Sequence, residues 1–337
     1  MQDKFFIFAE KSDFMKEITV GKNDSGQRLD RFLEKAVPLL PNSLMQKYIR
    51  LKRVKLNGKG ARRDVRLAEG DVLSLYINDE FFDAPTKENA YLRIVTPRLR
   101  VVYEDENVLL ADKEPGVLCH GDGGDETATL IANIQAYLYQ KGEWKPREEN
   151  SFAPALVNRI DRNTGGIVIA AKTAEAGRIL SQKLRDRELD KRYLCIVHGK
   201  MTPSEGTLRG YIFKDAKEKR VYVRQSAEKG ARTAVTDYRT LAVKDGLSLL
   251  ECRLHTGRTH QIRAMLASAG HPLLGDGKYG RLQSFDNRGE KYQALCSYKL
   301  AFDFTTPAGE LEYLKGRVFT LGDVPFAGKY FPGVKYN

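Results

Sequence analysis

The chain has 337 residues, enough for two or three domains and a sizeable core, and 56 Lys and Arg against 44 Asp and Glu leave a net charge of +12. A basic excess of that size suits a nucleic acid, an anionic membrane or an acidic partner. The apolar patch Phe5–Ala9 is too short for a signal peptide or a membrane span, and four scattered cysteines (Cys119, Cys195, Cys252, Cys296) without a Cys-x-x-Cys pair read as reduced thiols of a cytoplasmic protein.

After an N-terminal extension (1–14), residues 15–79 read as a small α/β module. Leu29, Phe32, Leu33 and Ala36 fall on one helix face, and Leu44, Met45, Tyr48 and Ile49 form a second helix after Pro41, with Asn42 or Ser43 as its cap. Val54-Lys55-Leu56 enters an Asn57-Gly58 hairpin turn, and Val72–Ile77 closes the module as a strand. Nine basic residues and one acid lie between Lys47 and Arg66. Taken alone, a charge run is a solvated face; this one sits on a helix end and the adjoining strand and turn, as phosphate contacts do. With Arg28-Leu29-Asp30, the basic second helix and Val54-x-Leu56-Asn57-Gly58, the module resembles an S4-type RNA-binding domain. Lys47, Arg50, Arg53, Lys55, Arg62 and Arg63 are its candidate RNA contacts.

Residues 80–97 are acidic and punctuated by proline, which reads as a linker. A second domain (98–325) opens with a hairpin, Val101–Tyr103 and Val108–Ala111, followed by Lys113-Glu114-Pro115-Gly116 and a helix carrying Leu130, Ile134 and Leu138. Gly121, Gly123 and Gly124 form no Gly-x4-Gly-Lys-[Ser/Thr] loop, so no nucleotide cofactor is expected. The polar run 141–150 reads as an exposed loop. Thr173 caps a helix bearing Ala176, Ile179, Leu180 and Leu184, Lys191–Val197 is a strand, and residues 326–337 read as a tail.

Two stretches carry candidate chemistry. In Ala155–Lys172, apolar β-branched ends enclose Asn158-Arg159-Ile160-Asp161-Arg162-Asn163-Thr164-Gly165-Gly166, so an acid between cations sits in a turn joining two strands. An isolated Asp there would be a turn residue with a local ion pair. In Leu254–Arg263, Thr259 is a candidate cap and Ile262, Leu266 and Ala269 form the buried face of a helix ended by Gly270. Arg263 then falls in or near the first turn, where the helix dipole disfavours a cation, so it needs phosphate or a carboxylate such as Asp161. Cys252, His255 and His260 are a candidate metal set, but their spacing matches no common zinc pattern and no metal is expected.

The first stretch resembles the His-Arg-Leu-Asp-x-x-Thr-Ser-Gly signature of the RluA-type RNA pseudouridine synthases, with Asn158 and Gly165 as departures. The second resembles the family's Gly-Arg-Thr-His-Gln-[Ile/Leu]-Arg motif, with Met265 where histidine is usual, and Gly270–Asp276 continues it. Lys191-x-Tyr193 and Lys113–Gly116 match weaker segments, and the resemblance runs from about Val101 to Leu314. It implies an α+β catalytic domain: a long, mostly antiparallel bent sheet flanked by helices. It assigns Asp161 as the essential carboxylate and Arg263 as the cation orienting it, with a contact that can be bidentate. Tyr193 would stack on the uracil and is a candidate to help remove the C5 proton. Arg159 would fill the space left by a flipped-out base, and Arg258 would support a phosphate.

Isomerising uridine to pseudouridine needs neither an energy source nor a redox step, so no cofactor is expected. Whether Asp161 attacks the ribose C1′, attacks uracil C6 or takes the C2′ proton stays open at this level. The implied partner is RNA, most readily large-subunit (23S) ribosomal RNA, with tRNA as the alternative and no membrane; the protein is expected to be a monomer. Two rivals remain: a catalytically inactive RNA-binding or ribosome-assembly factor, and a glycosidase-like hydrolase that would release free uracil.

Overall fold

The computed structural model describes residues 15–37, 40–77, 81–82, 87–146, 149, 151–215, 218, 220–280 and 287–336. The apolar patch Phe5–Ala9, the rest of the N-terminal extension and most of the acidic stretch 78–86 lie outside the described residues. The chain forms two compact units, one of residues 1–89 with 142–153 and one of 90–141 with 154–337.

In the smaller unit the elements are β1 (Lys16–Thr19), α1 (Leu29–Ala36), α2 (Asn42–Arg50), β2 (Val54–Leu56), β3 (Lys59–Gly60) and β4 (Val72–Leu75). The strands pair in the order β1-β4-β2-β3. Leu29, Phe32 and Leu33 of α1 and Met45, Tyr48 and Ile49 of α2 are buried with Val54, Leu73 and Leu75, so the helical and strand periods meet in one core. Asn57 and Gly58 both have positive φ (50° and 74°), the backbone that a tight two-residue hairpin demands. The expected side-chain cap of α2 is absent: Pro41 occupies the cap position, and its carbonyl accepts from Leu44 and Met45. Residues 142–153 join this unit although they follow residues 90–141 of the larger one in sequence. The Asn23 side-chain amide donates to Glu149 (2.9 Å), and that of Gln27 donates to Ser151 (2.9 Å). The polar run that the sequence marks as an exposed loop is largely exposed, and its described side-chain contacts are polar ones to the smaller unit.

The larger unit contains β5 (Val101–Glu104), β6 (Val108–Lys113), α3 (Leu130–Gln140), β7 (Ala155–Leu156), β8 (Gly165–Ala171), α4 (Ala174–Arg185) and β9 (Leu189–His198). It continues through β10 (Glu205–Asp215), β11 (Arg220–Arg224), β12 (Arg232–Lys244), β13 (Leu247–Leu254), α5 (Gln261–Ser268), β14 (Leu295–Phe302), β15 (Val318–Thr320) and α6 (Pro325–Tyr330). Eleven strands form one sheet along the path β11-β10-β12-β13-β9-β14-β8-β6-β5, with β15 on β14 and β7 on β8. The α+β class and the long, mostly antiparallel sheet are as the resemblance implied. Among the named strands the one parallel seam joins β14 to β8, through Cys296↔Gly165 and Ser297↔Gly166.

Two sequence boundaries shift. The acidic linker is shorter than 80–97, because Lys87–Arg93 is a helical turn and Ala90 and Tyr91 are buried. The C-terminal residues are no tail: Ala327 and Phe331 are buried with α4 and β14, and the Tyr298 hydroxyl donates to the Tyr336 carbonyl at 2.9 Å. Apolar side chains on both sides of residue 325 find one core, so the boundary expected there dissolves. On the other sheet face, Ile262 and Leu266 of α5 pack over Tyr193, Cys195, Leu250 and Cys252. Met265 is 3% exposed among Ile212, Val221 and Ala234, which gives this departure from the family histidine a packing role.

The parallel seam depends on Gly166. Its φ is 112°, and a Cβ there would lie 2.3 Å from the Ser297 carbonyl oxygen. Gly166→Ala is therefore expected to destabilise the larger unit by about 3 kcal/mol or more, seen as a lower midpoint in urea unfolding. A midpoint equal to that of the parent protein would show that the strands can part without cost.

Candidate active site

The Asp161 turn is built by the β7–β8 hairpin. Ala155 and Leu156 pair with Ala171 and Ala170, and the Val157 amide donates to Ile169. The Asn158 side-chain carbonyl then accepts the Ile169 amide at 2.8 Å, extending the ladder through a side chain. The departure at Asn158 thus has a structural use. The departure at Gly165 also has one, since a Cβ there would come within 3.2 Å of the Pro115 ring.

Beyond Asn158 the chain leaves the sheet and is pinned from several sides. The Asp161 carbonyl accepts from the Thr164 amide, and the Arg162 carbonyl accepts from the Gly116 amide. Lys113, 1% exposed, donates to the carbonyls of Arg162 (2.9 Å), Val117 (2.8 Å) and Glu114 (3.0 Å). Burial pushes its ammonium pKa down to about 8, with the nearby Cys119, Asp161 and Asp112 acting in the opposite sense. Lys113 serves as a tie between two loops, a role its place in the sequence did not reveal.

Sheet register brings the remaining groups together. Ser297 on β14 lies across from Gly166 on one side and from Tyr193 on the other. The Tyr193 phenol is 6% exposed, and burial first, then the charge of Asp161, push its pKa up to about 12. Helix α5 supplies Arg263. Its start is bolted to β12 by Gln261, whose amide donates to the Val235 carbonyl (3.0 Å) and the Thr236 hydroxyl (2.9 Å). The cap of α5 is His260, in a left-handed conformation (φ 53°, ψ 23°), rather than Thr259.

Arg263 is the hub. Its Nη1 donates to Asp161 Oδ2 at 2.9 Å, while Nε and Nη2 donate to the two oxygens of Asp276 at 2.8 and 3.0 Å. The expected contact to Asp161 is made through one donor, and the bidentate one goes to Asp276. That carboxylate is fully buried and also accepts the Lys278 and Tyr279 amides, at 2.9 and 3.1 Å. Burial alone would raise the Asp276 pKa, but the Arg263 contacts hold it below the ordinary value. Burial would likewise lower the Arg263 pKa, and the two carboxylates raise it. Asp276 closes the run Gly270–Asp276 after the helix, and its role was not legible in the sequence. The signal was a cation near a helix start that required an anion.

Asp161, Tyr193 and Arg263 line a cleft of about 1410 Å³, within one unit. Its described lining holds eleven Lys and Arg against three Asp and Glu, including Arg159, Arg162, Arg187, Lys191 and Arg258. Arg159 is exposed, and Arg258 donates its Nε to the Thr233 carbonyl at 3.1 Å. The candidate metal set disperses: Cys252 faces Cys195, His255 contacts Asp237, and His260 contacts Tyr279. The basic residues Lys47, Arg50, Arg53, Lys55, Arg62 and Arg63 lie in the other unit.

Residues 107–268 match the family model described as RNA pseudouridylate synthase. An uncharacterized RNA pseudouridine synthase of Mycoplasma genitalium is 34% identical, over 84% of this chain and 88% of its own length. A ribosomal large subunit pseudouridine synthase D of Nitrosomonas europaea is 31% identical, over 79% of this chain and 72% of its own length. The human RNA pseudouridylate synthase domain containing 4 shares the fold, with a TM-score of 0.52 and 19% identity, covering 71% of this chain and 93% of that one. The chain belongs to the RNA pseudouridine synthases and is an enzyme that modifies RNA.

The geometry around Arg263 makes a specific demand on its side chain. Lysine carries one nitrogen and cannot hold Asp276 with two donors while reaching Asp161 with a third. Arg263→Lys is expected to lower kcat by about 10²-fold or more while the Kd for RNA stays within about twofold. Turnover close to that of the parent would mean that a point charge is enough.

Proposed function

We propose that this enzyme isomerises particular uridines of large-subunit ribosomal RNA to pseudouridine, with Asp161 as the carboxylate that acts on the flipped-out nucleotide. The observation that carries the reading is the Asp161 carboxylate, only part-buried, held by a buried arginine at the edge of a cationic cleft. A carboxylate in that position can reach a ribose or uracil carbon, while the surrounding cations suit phosphates. The name of the Nitrosomonas relative supports the ribosomal substrate.

Each residue then has a role. Arg263 orients Asp161. Tyr193 offers a face for the uracil, and with its pKa near 12 the phenol is protonated at neutral pH, which favours a platform over a phenolate base. Arg159 occupies the space vacated by the flipped base, and Arg258 steadies a phosphate. The smaller unit acts as an S4-type docking module, its exposed cations on α2 and the β2–β3 hairpin meeting the RNA backbone. No helix among the described residues is long and apolar enough to cross a membrane, and a cytoplasmic monomer working on ribosomal RNA fits this reading.

Asp161→Asn keeps the size of the side chain and removes its anionic oxygen. It is expected to abolish tritium release from C5-labelled ribosomal RNA of cells lacking the protein, with folding and RNA binding preserved. The loss should exceed the ~10²–10⁴-fold typical of general acid–base assistance alone. Substantial release by a variant shown by mass to be free of deamidation removes Asp161 from this role, and free uracil from the parent enzyme identifies a hydrolase.

The docking role has its own test. Replacing Lys47, Arg50, Arg62 and Arg63 together by glutamine is expected to weaken RNA binding and to flatten its dependence on log salt by about 0.7–0.9 per lost phosphate contact. An unchanged slope would show that the cluster only solubilises the unit.

A further inference from the structure

His260 has no part in the reading above, yet its surroundings specify its proton. The buried Tyr279 hydroxyl accepts the Val221 amide at 3.2 Å and lies 2.9 Å from His260 Nδ1. Among the described residues no other hydrogen-bond partner of that hydroxyl is present. A phenol 4% exposed must place its own proton, and Nδ1 is the acceptor within reach. Nδ1 therefore accepts, and the neutral ring carries its hydrogen on Nε2.

That Nε2–H points into the cleft, 3.8 Å from Asp161 Oδ2, too far for a hydrogen bond. The side chain is 17% exposed. Its left-handed backbone, uncommon for a residue with a Cβ, is imposed at the turn that begins α5. Burial drives the imidazole pKa down to about 4; Asp161 opposes the fall, and Arg263 and Lys278 add to it. At neutral pH the ring is an uncharged donor held beside the carboxylate.

We infer that His260 is a catalytic residue, whose Nε2–H donates a hydrogen bond to the uracil O2 as the glycosidic bond breaks. The inference rests on the proposed reaction at Asp161. When the N1–C1′ electron pair leaves with the base, negative charge spreads over N1, O2 and O4. O2 is bonded to the carbon next to N1, and so lies near the ribose carbons that Asp161 addresses. A fixed neutral donor stabilises that charge without giving up its proton, so uracil turns while unprotonated at O2. C1′, held meanwhile as an ester of Asp161, is attacked by C5; the carboxylate leaves with its electron pair, the C5 proton goes to solvent and N1 takes one up. A charged imidazolium would compete for Asp161 instead.

Four measurements test the inference. His260→Asn, chosen because asparagine tolerates the left-handed backbone, should lower the single-turnover rate of tritium release by ~10²-fold with the RNA Kd within about twofold. Tyr279→Phe keeps the imidazole but frees its tautomer, and should give a smaller loss. In the parent protein labelled with ¹⁵N-histidine, the His260 spectrum should show a protonated Nε2 and a bare Nδ1. On a short RNA carrying 2-thiouridine at the mapped target, the parent enzyme should slow, since sulfur accepts hydrogen bonds poorly, whereas His260→Asn should lose nothing further. A parent-like rate for His260→Asn, a protonated Nδ1, or equal slowing of both enzymes by 2-thiouridine overturns the donor role. If the parent itself releases no tritium from any RNA, the failure belongs to the proposed function, and the tautomer measurement still judges the local geometry.

Discussion

A single guanidinium between two carboxylates organises the larger unit's site. Arg263 is 8% exposed at its side chain and Asp276 not at all, so neither charge has water to fall back on. Breaking a buried pair of this kind by removing one member costs about 3–5 kcal/mol, because the other is left uncompensated. The energy comes from the Asp276 side, where two donors meet two oxygens and backbone amides complete the shell. The third donor is thereby aimed at Asp161 without having to search for it. Positioning is supplied by the buried contact, which leaves the accessible carboxylate for the role proposed for it.

The sheet provides what the ion pair cannot. Its parallel seam sets Gly166 and Tyr193 on either side of Ser297, so the turn before β8 and the tyrosine of β9 arrive together. Side chains on neighbouring strands are held to fractions of an ångström by packing, whereas a loop is not. The turn itself obtains comparable rigidity from Lys113, whose three carbonyl contacts tie it to the loop after β6. A buried lysine is costly, and its depressed pKa records that cost; three acceptors offset it.

Charge is distributed for a polyanion. Among the described residues eleven Lys and Arg line the cleft, while a second group sits on the smaller unit around α2 and the β2–β3 hairpin. Phosphate contacts from cations so placed would give affinity largely independent of base sequence. On the proposed reading, discrimination among uridines rests on which RNA shape fits and on the polar groups offered to a flipped base, for which His260 is the candidate inferred above.

Local patterning was enough to locate most helices and strands and to draw attention to Asp161 and Arg263, because periodicity and a long motif are carried by neighbouring residues, whereas Tyr193 was named only through the family resemblance. The Thr173 cap was legible for the same reason: its hydroxyl accepts an amide three residues away. Other features depended on distant partners. Nothing near Asp276 in sequence shows that its oxygens face Arg263, thirteen positions earlier and across a turn. Nothing near Lys113 announces the Arg162 carbonyl. The excursion 142–153 and the buried C-terminal residues misled a reading in order, since composition reports polarity but not which core a segment joins. Sequence could settle the kinds of residue available to the chemistry; which of them share one carboxylate, one proton or one cleft was decided by sheet register and burial, which act across the chain.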